Sequence, residues 1–320
     1  MLWLNGFVVV PESEDLLVCY YDVVGSSCEF SNEFALFGRV IYGLSVPSTF
    51  GSSGIIVPSY FGEVFGVEVG DCSFKLRLRD CDTINVFDDF EIFRGLLRSA
   101  LRLKVAGHDD FKWISYSPCF SLFDTIGDLG LRRCFRSSFE LVGSDVVLFA
   151  DVFTRLFSLR SLFEIFGFDL VKFKSLLVGS TVSYISEGSF TIVDVLEDTV
   201  SDSVLINGVK TTVSEYIKKK YGAKIAGKIN PREPMIVGVA ISNGKKYYFA
   251  PSLLRLVPRF DNLSKFSRFL NIDDVSSVFK KLRLKGERWK LLEKFVEFVD
   301  PLEIGDIRFN VSRDPFVFSF

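Results

Sequence analysis

The chain has 320 residues, of which 48% are apolar and 24% are charged. This is enough apolar sequence for two or three compact units with buried cores, and it excludes a disordered chain. The formal net charge of −2 says little about partners until it is localised: residues 203–260 hold 11 basic and 2 acidic side chains, a net charge of +9, which leaves −11 for the rest. This basic segment predicts a local site for a polyanion, and the alternative is a solvated lysine-rich surface.

Metal-binding and membrane-spanning patterns are missing from the sequence. No two cysteines have C-x-x-C spacing and His108 is the single histidine, so we predict no metal site and no cofactor. The longest uncharged stretch, 40–62, is interrupted by Ser, Gly and Pro, and the first residues lack the features of a signal peptide. We therefore expect a cytoplasmic protein with no membrane partner, whose cysteines are reduced, mostly buried thiols. They are Cys19, Cys28, Cys72, Cys81, Cys119 and Cys134.

The first third of the chain predicts strands followed by a helix. Runs of Val, Phe, Ile and Tyr, separated by Gly, Ser and Pro, are typical of short strands at 6–11, 16–24 and 34–46. A helix capped by Asp88 and ending at Gly107 is predicted by the spacing of Phe90, Phe93, Leu97, Ala100 and Leu101. Its other side carries Arg94, Arg98 and Arg102. These arginines either line a nucleic-acid channel or form an ordinary solvated helix face.

The middle of the chain returns to strand patterns. Strands are predicted within 135–157, with a turn at 141–144, and a short helix is predicted at 161–168. Two further strands, 181–185 and 190–196, flank Ser-Glu-Gly-Ser, which is typical of a hairpin turn.

The basic segment combines a capped helix with a hairpin. Thr212 and Glu215 have the spacing of a capping box, and the residues that follow, 216–221, read Tyr-Ile-Lys-Lys-Lys-Tyr. Tyrosines that stack or donate a hydroxyl, beside lysine ammonium groups, are suited to the phosphate-bearing end of a single-stranded nucleic acid. The alternative is that both tyrosines are half-buried packing residues. Asn243-Gly244 then predicts a hairpin between strands 235–242 and 245–250.

The last sixty residues predict two helical stretches and a strand. The second helix, 287–299, has apolar positions Trp289, Leu292, Phe295, Val296 and Val299, and a strand follows at 307–311. The end of the chain, 316–320, is apolar, so we expect it to be buried against another surface.

The order of these elements resembles the PAZ domain and its flanking parts in Argonaute and Piwi proteins. The specific motif is Tyr-x-x-x-Lys-Tyr, here Tyr216, Lys220 and Tyr221, followed by Pro-Met-Ile-Val at 234–237 and Phe-Ala-Pro-Ser at 249–252. The acid that the family has after this last proline is missing. Residues 131–139 and 147–152 are similar to the first linker of the family, and the part from Asp261 is similar to its second linker.

The resemblance implies an α+β multidomain chain. Residues 1–95 would form an Argonaute N-like domain, 96–165 the first linker, 166–260 the PAZ domain and 261–320 the second linker. The PAZ domain of the family is a small OB- or SH3-like β-barrel with an inserted αβ module. The MID domain, with the 5′-end pocket, and the PIWI domain, with the slicing carboxylates, would follow residue 320. We therefore expect the N-PAZ subunit of a split prokaryotic Argonaute, with 316–320 in contact with a MID-PIWI subunit.

The resemblance also implies the partners and the binding residues. The partners would be a short single-stranded guide, RNA or DNA, its target, and the MID-PIWI subunit. By position in the family, Tyr216, Lys220 and Tyr221 would bind the 3′-terminal phosphates of the guide. The remaining candidates are the polar or aromatic positions Tyr184 and Phe190, the hydrophobic wall Tyr248 and Phe249, and Lys218, which like Lys219 also fits an ordinary solvated position.

Catalysis by this chain alone is not predicted. Acid pairs such as Asp109-Asp110 and Asp273-Asp274 are neighbours in sequence and point in different directions, so they are poor metal clusters. No Ser/His/Asp or Cys/His set is apparent, and a lone histidine after a glycine is more often solvated than catalytic. The alternative function is a non-catalytic scaffold whose barrel holds an acidic protein partner.

Overall fold

The chain forms two compact units in a computed structural model that describes residues 5–30, 33–51, 54–114, 117–184, 188–206, 208–241, 244–259, 261–282 and 287–316. The first unit comprises Met1–Trp113, Phe135–Phe153 and Lys285–Phe320. The second comprises Ile114–Cys134 and Thr154–Leu284. Each unit is therefore built from separate stretches of the chain. The named domain boundaries implied by the resemblance stay predictions.

Strands are the main regular elements of both units. In the described residues they are β1 (Asn5–Pro11), β2 (Asp15–Ser26), β3 (Thr49–Gly51), β4 (Gly54–Val57), β5 (Val64–Val69), β6 (Cys72–Asn85), β7 (Phe111–Ile114), β8 (Ser117–Phe120), β9 (Asp124–Ile126), β10 (Leu129–Val142), β11 (Asp145–Ser158), β12 (Thr181–Tyr184), β13 (Gly188–Thr199), β14 (Ser203–Ile206), β15 (Val209–Thr212), β16 (Pro234–Ala240), β17 (Lys246–Phe249), β18 (Leu254–Leu256), β19 (Leu302–Ile304) and β20 (Ile307–Phe316).

Helices connect and cover these strands. They are α1 (Glu33–Gly43), α2 (Phe90–Ala106), α3 (Leu162–Phe166), α4 (Lys174–Leu177), α5 (Val213–Tyr221), α6 (Ala223–Ala226), α7 (Leu263–Phe266), α8 (Val275–Leu282) and α9 (Arg288–Val299), with 3-10 helices at Gly167–Phe173, Pro251–Leu253 and Ser267–Leu270. Across the described ranges, none of the helices has the length and apolar character needed to cross a membrane.

The first unit contains an antiparallel sheet covered by α1, and a second core in which aromatic rings pack. The sheet has the order β3-β4-β2-β6-β5, and its buried core includes Val40 of α1 and Leu44, which follows the helix directly. In the second core, Phe135 of β10 stacks on Phe295 of α9 with ring centroids 4.2 Å apart. Strands β10 and β11 continue from this unit into the second.

The second unit is centred on a five-stranded antiparallel sheet of order β17-β16-β13-β12-β18. Between β13 and β16 the chain forms an inserted module, the β14-β15 hairpin followed by α5 and α6. Val182, Ile192 and Ile236 of the sheet share one buried core with Val213 and Ile217 of α5. The α+β class is confirmed, whereas the identification of this sheet as a PAZ-type barrel stays a prediction.

Both hairpins predicted in the second unit are formed. Strand β12 pairs with β13, and β16 pairs with β17 in the register Gly238 opposite Tyr247. The turn residues 185–187 and 242–243 lie outside the described residues. The short helix after residue 160 and the helix before Asp300 are confirmed as α3 and α9. The apolar end predicted to contact a partner is 316–320: Phe316 is the last residue of β20, and 317–320 lie outside the described residues.

Two local predictions in the first unit are wrong. Residues 34–46 were expected to form a strand, but Glu33–Gly43 is a helix. Buried or half-buried apolar residues recur every four positions at Leu36, Val40 and, directly after the helix, Leu44, and this helical period outweighs the strand preference of the Phe, Val and Ile residues. The N-cap of α2 is Asp89 rather than Asp88, and its side chain does not cap the helix, since the carboxylate accepts a hydrogen bond from the preceding Asn85 amide (3.2 Å) instead.

The cysteines are paired, which corrects the expectation of reduced thiols. Disulfides join Cys19 to Cys81, Cys28 to Cys72 and Cys119 to Cys134. The first and third connect residues that lie directly opposite each other on paired strands, β2 with β6 and β8 with β10. Sequence spacing could not reveal these pairs, because strand pairing brings together residues that are 62 and 15 positions apart. Disulfides are rare in the reducing cytosol, so the pairing does not support the predicted cytoplasmic location, which remains untested.

Candidate nucleic-acid interface

Helix α5 is anchored at its start and along one side. The Thr212 hydroxyl accepts a hydrogen bond from the Glu215 amide (3.0 Å), and the Glu215 carboxylate accepts one from the Thr212 amide (3.3 Å). This is the predicted capping box, which satisfies amides that a helix start leaves without partners. Val213 and Ile217, four residues apart, are 0% and 2% exposed and hold the helix on the core.

The other sides of α5 carry the candidate binding residues. Tyr216 is half-buried and packs against the core of the second unit, whereas Lys218 and Lys219 are exposed. The backbone of Lys220 and Tyr221 completes the helix, but their side chains lie outside the described part of the structure. The structure thus combines both alternatives for Tyr216, since the residue packs on the core and keeps part of its surface accessible.

Four aromatic side chains meet on one face of the sheet next to α5. Phe249 is central: its ring centroid lies 4.6 Å from that of Phe190, 5.4 Å from that of Tyr184 and 6.2 Å from that of Tyr247. Phe190 and Tyr247 also contact each other edge to face at 5.7 Å. We call Tyr184, Phe190, Tyr247 and Phe249 the ring cluster. Three of its members were predicted as site residues.

Strand alternation decides which tyrosine of β17 joins the ring cluster. Successive side chains of a strand point to opposite faces, so Tyr247 and Phe249 share a face and Tyr248 points to the other. The predicted wall of Tyr248 and Phe249 is therefore not a single surface. Tyr247 was missed, although the alternation within Lys-Tyr-Tyr-Phe carries the signal that finds it.

A glycine makes room for the ring cluster. A Cβ atom at Gly238 would lie 2.9 Å from the Phe249 ring and 3.4 Å from the Phe190 Cβ. Gly238 is opposite Tyr247 in the sheet, so the space that its missing side chain leaves is filled by the rings. A glycine in the middle of β16, where Val or Ile would be the usual strand residue, is thus explained by the close packing of the rings.

Exposure varies within the ring cluster. Tyr184 and Phe249 are each 5% exposed, whereas Phe190 and Tyr247 are half-buried. The buried pair thus forms a floor, and the other two rings keep part of their surface accessible to a ligand. Such a partly exposed aromatic platform is the usual means of stacking a nucleobase.

Tyr216 is half-buried, and Tyr247 lies within electrostatic range of its hydroxyl. Burial raises the pKa of the Tyr216 hydroxyl above its usual value, and the neighbouring Tyr247 adds to the increase. Tyr216 therefore remains a neutral hydroxyl at physiological pH and retains its proton as a hydrogen-bond donor. Helix α5 and the ring cluster thus contribute to one region of the second unit.

The basic segment is largely exposed around this region. Exposed positions in it are Lys210, Lys218, Lys219, Lys224, Lys228, Arg232, Lys245, Lys246 and Arg259. A single exposed ammonium or guanidinium group forms only a weak ion pair with a carboxylate. Together these groups attract a polyanion, over a range that shortens as the salt concentration increases. In the described ranges, no group of three or more His, Cys, Asp and Glu side chains is arranged to hold a metal ion.

Comparison with known proteins detects this fold but no close relative. No family model matches the sequence, and no curated protein matches it. Solved structures do match. Clostridium butyricum Argonaute, bound to a guide DNA and a 19-mer target DNA, aligns with a TM-score of 0.59 at 13% identity, over 96% of this chain and 43% of that chain.

Two further Argonautes align over nearly the whole chain. The one designated Aa-Ago, with externally bound siRNA, has a TM-score of 0.57 at 12% identity and covers 98% of this chain and 43% of its own. Marinitoga piezophila Argonaute in complex with 5′ OH guide RNA has a TM-score of 0.51 at 10% identity and covers 99% and 40%. The chain thus spans about two fifths of the length of these proteins. At such low identity the likeness establishes the fold, and it confirms the predicted resemblance at that level: this chain has the fold of the matching two fifths of an Argonaute.

Proposed function

We propose that this chain binds a short guide strand and holds its 3′ end between the ring cluster and helix α5. A MID-PIWI subunit would anchor the 5′ end and supply any cleavage, and this chain by itself would not be an enzyme. The proposal assigns the second unit's sheet to a PAZ-type barrel and the complex to the cytoplasm. It is supported by the Argonaute fold and by one observation above all: a partly exposed aromatic platform adjoins a capped helix within a strongly basic segment.

The platform and the helix would divide the work. The accessible parts of Phe190 and Tyr247 would contact the last base or ribose, each stacking contact contributing about 1–3 kcal/mol. The Tyr216 hydroxyl, with Lys220 and Tyr221 at the end of α5, would donate hydrogen bonds to the terminal phosphates. Tyr184 and Phe249 would act from below by holding these rings in place. Binding of this strength is reversible, as release of the end during target pairing requires.

The test compares single strands that differ only at the 3′ end. We expect the purified chain to bind oligonucleotides with a free 3′ hydroxyl more tightly than the same strands with a bulky blocked end. Tyr216→Phe, which removes one hydroxyl, should weaken the binding of free ends about threefold to tenfold. Tyr248→Phe is the matched control, because it removes a hydroxyl from the opposite face of the same sheet. Titrations of labelled strands at fixed salt measure both.

Three outcomes contradict the proposal. Equal affinity for free and blocked ends would show that no end is held. Equal effects of Tyr216→Phe and Tyr248→Phe would show that the hydroxyl of α5 has no special part in binding. Binding of an acidic protein that short oligonucleotides do not displace would favour the scaffold function instead. The PIWI partner is tested separately, by co-purification of this chain with a candidate MID-PIWI subunit.

A further inference from the structure

A cavity of about 410 Å³ opens in the second unit, and none of its lining residues belongs to the ring cluster. Strand β11 and the segment that follows β18 form its walls. The lining residues are Thr154, Arg155, Leu156, Val257, Pro258, Arg259 and Asp261. A concave site with a few polar groups among apolar walls has the general character of a ligand site.

Arg155 is the unusual member of this lining. Its guanidinium donates a hydrogen bond to the Ser189 hydroxyl (3.4 Å), and it forms no ion pair with a described carboxylate. Burial lowers the pKa of Arg155, and repulsion from Arg132 lowers it further. A guanidinium stays charged even so, and its positive charge is therefore less favourable in this partly buried environment than it would be in water.

The second cation is held in place by aromatic rings. The Arg132 guanidinium lies over the rings of both Phe123 and Phe157, 5.1 Å from each ring centroid, and these two rings contact each other edge to face. Its Nε atom is buried and has no hydrogen-bond partner among the described residues. Gly130 permits the arrangement, since a Cβ atom there would lie 2.5 Å from the Phe157 ring. The side chain is thus fixed beside Arg155 instead of moving into solvent.

The charges at the cavity do not cancel. Two arginines line it, Arg155 and the exposed Arg259, and one acidic residue, Asp261. Arg132 is not part of the lining, but its positive charge repels that of Arg155. Arg155 and Arg132 are half-buried guanidinium groups that form no ion pair with a described carboxylate, and an anion in the cavity would relieve the repulsion between them. Guanidinium groups have the fork geometry that binds phosphate oxygens in pairs.

We propose that the Arg155 cavity binds a backbone phosphate of a nucleic acid, at a place separate from the 3′-end site. The proposal rests on the proposed function, since it supplies a second contact to the same strand. Ser189, the hydrogen-bond partner of Arg155, precedes Phe190 on β13 and therefore points to the face of the sheet opposite the ring cluster. At this cavity the protein would bind an internal phosphodiester of the nucleic acid, so the contact does not depend on a free end.

Circular single strands separate the two sites, because they have no end. We expect the wild-type chain to bind a circular strand, and Arg155→Gln to weaken this binding about tenfold. Loss of one phosphate contact should also flatten the plot of log affinity against log salt by about 0.7. Arg259→Gln should act in the same direction. Arg268→Gln, which removes the same charge from an exposed position of the second unit, is the matched control and should change neither quantity.

The outcomes are distinct. If Arg155→Gln and Arg259→Gln bind circular strands with the affinity and salt slope of Arg268→Gln, the proposal is wrong. If inorganic phosphate raises the Tm of the wild type while circular strands do not compete for the site, the ligand is a free phosphate and the nucleic-acid assignment is wrong. Should Arg155→Gln fail to fold, the exposed Arg259 carries the same test. Discrimination between free and blocked 3′ ends is measured on linear strands, so the proposed function stands or falls separately.

Discussion

Glu233 shows how one buried carboxyl group links the start of β16 to the segment after β17. The residue is 0% exposed, and its two carboxylate oxygens accept hydrogen bonds from the Ser252 amide (2.8 Å) and the Ser252 hydroxyl (2.7 Å). Burial raises the pKa of Glu233 above its usual value, and these hydrogen bonds offset part of the increase.

The raised pKa of Glu233 predicts a pH-dependent contribution to stability. Between the ordinary pKa of about 4.5 and the raised value, the folded state binds more protons than the unfolded state, so the free energy of unfolding falls as pH rises through this window and is constant above it. Glu233→Gln removes the ionisation and should abolish this part of the decline. Urea unfolding at a series of pH values measures it.

The control for this experiment is Glu197→Gln, which changes an exposed glutamate of β13. Subtracting its pH profile removes the contribution of carboxylates such as Glu164 and Asp194, whose lowered pKa values make stability rise with pH. Identical pH profiles for both variants would mean that Glu233 ionises in the folded protein as it does in the unfolded chain.

At the scale of elements, the sequence contained the information for α5 but not for α1. The capping box of Thr212 and Glu215 could be predicted from the sequence because its hydrogen bonds join residues three positions apart. Helix α1 was mistaken for a strand because its composition favours strands, while its period favours a helix. Where local preferences disagree, the core that the element packs against decides the outcome.

The cap of α5 predicts a local effect on stability and on binding. Thr212→Ala removes the hydroxyl that accepts from the Glu215 amide and should cost about 1 kcal/mol of folding free energy. Amide hydrogens in the first turn of α5 should exchange faster, and the affinity for free 3′ ends should decrease because the helix frays. Thr212→Ser keeps the hydroxyl and should restore all three properties. Unchanged exchange in Thr212→Ala would show that the helix start is held by packing alone.

At the scale of the whole molecule, covalent links are the feature that composition did not predict. Six cysteines form three disulfides, and none of the six is free. The largest loop is closed by Cys19 and Cys81, which are 62 positions apart. In the chain-entropy model, a disulfide that closes a loop of this length adds about 4 kcal/mol to the free energy of unfolding.

The disulfides predict the thiol content of the protein. Protein purified without reductant and unfolded in denaturant should show no alkylated cysteine, and all six should react after reduction. Reduction should also lower the Tm, because the unfolded chain gains the freedom that the links remove. Mass spectrometry of alkylated protein counts the thiols. Six reactive thiols before reduction would show that the cysteines are reduced, as the sequence analysis predicted.

Local patterns in the sequence determined the α+β class, the two hairpins of the second unit, the capped helix α5 and the basic segment around it. These features depend on residues a few positions apart or on composition, so they can be predicted from the sequence alone. Only the tertiary structure decided that Tyr184, Phe190, Tyr247 and Phe249 meet, that the cysteines pair, and that Arg132 and Arg155 lie beside a cavity. Each of these depends on contacts between different strands, and such contacts are set by the packing of the whole core.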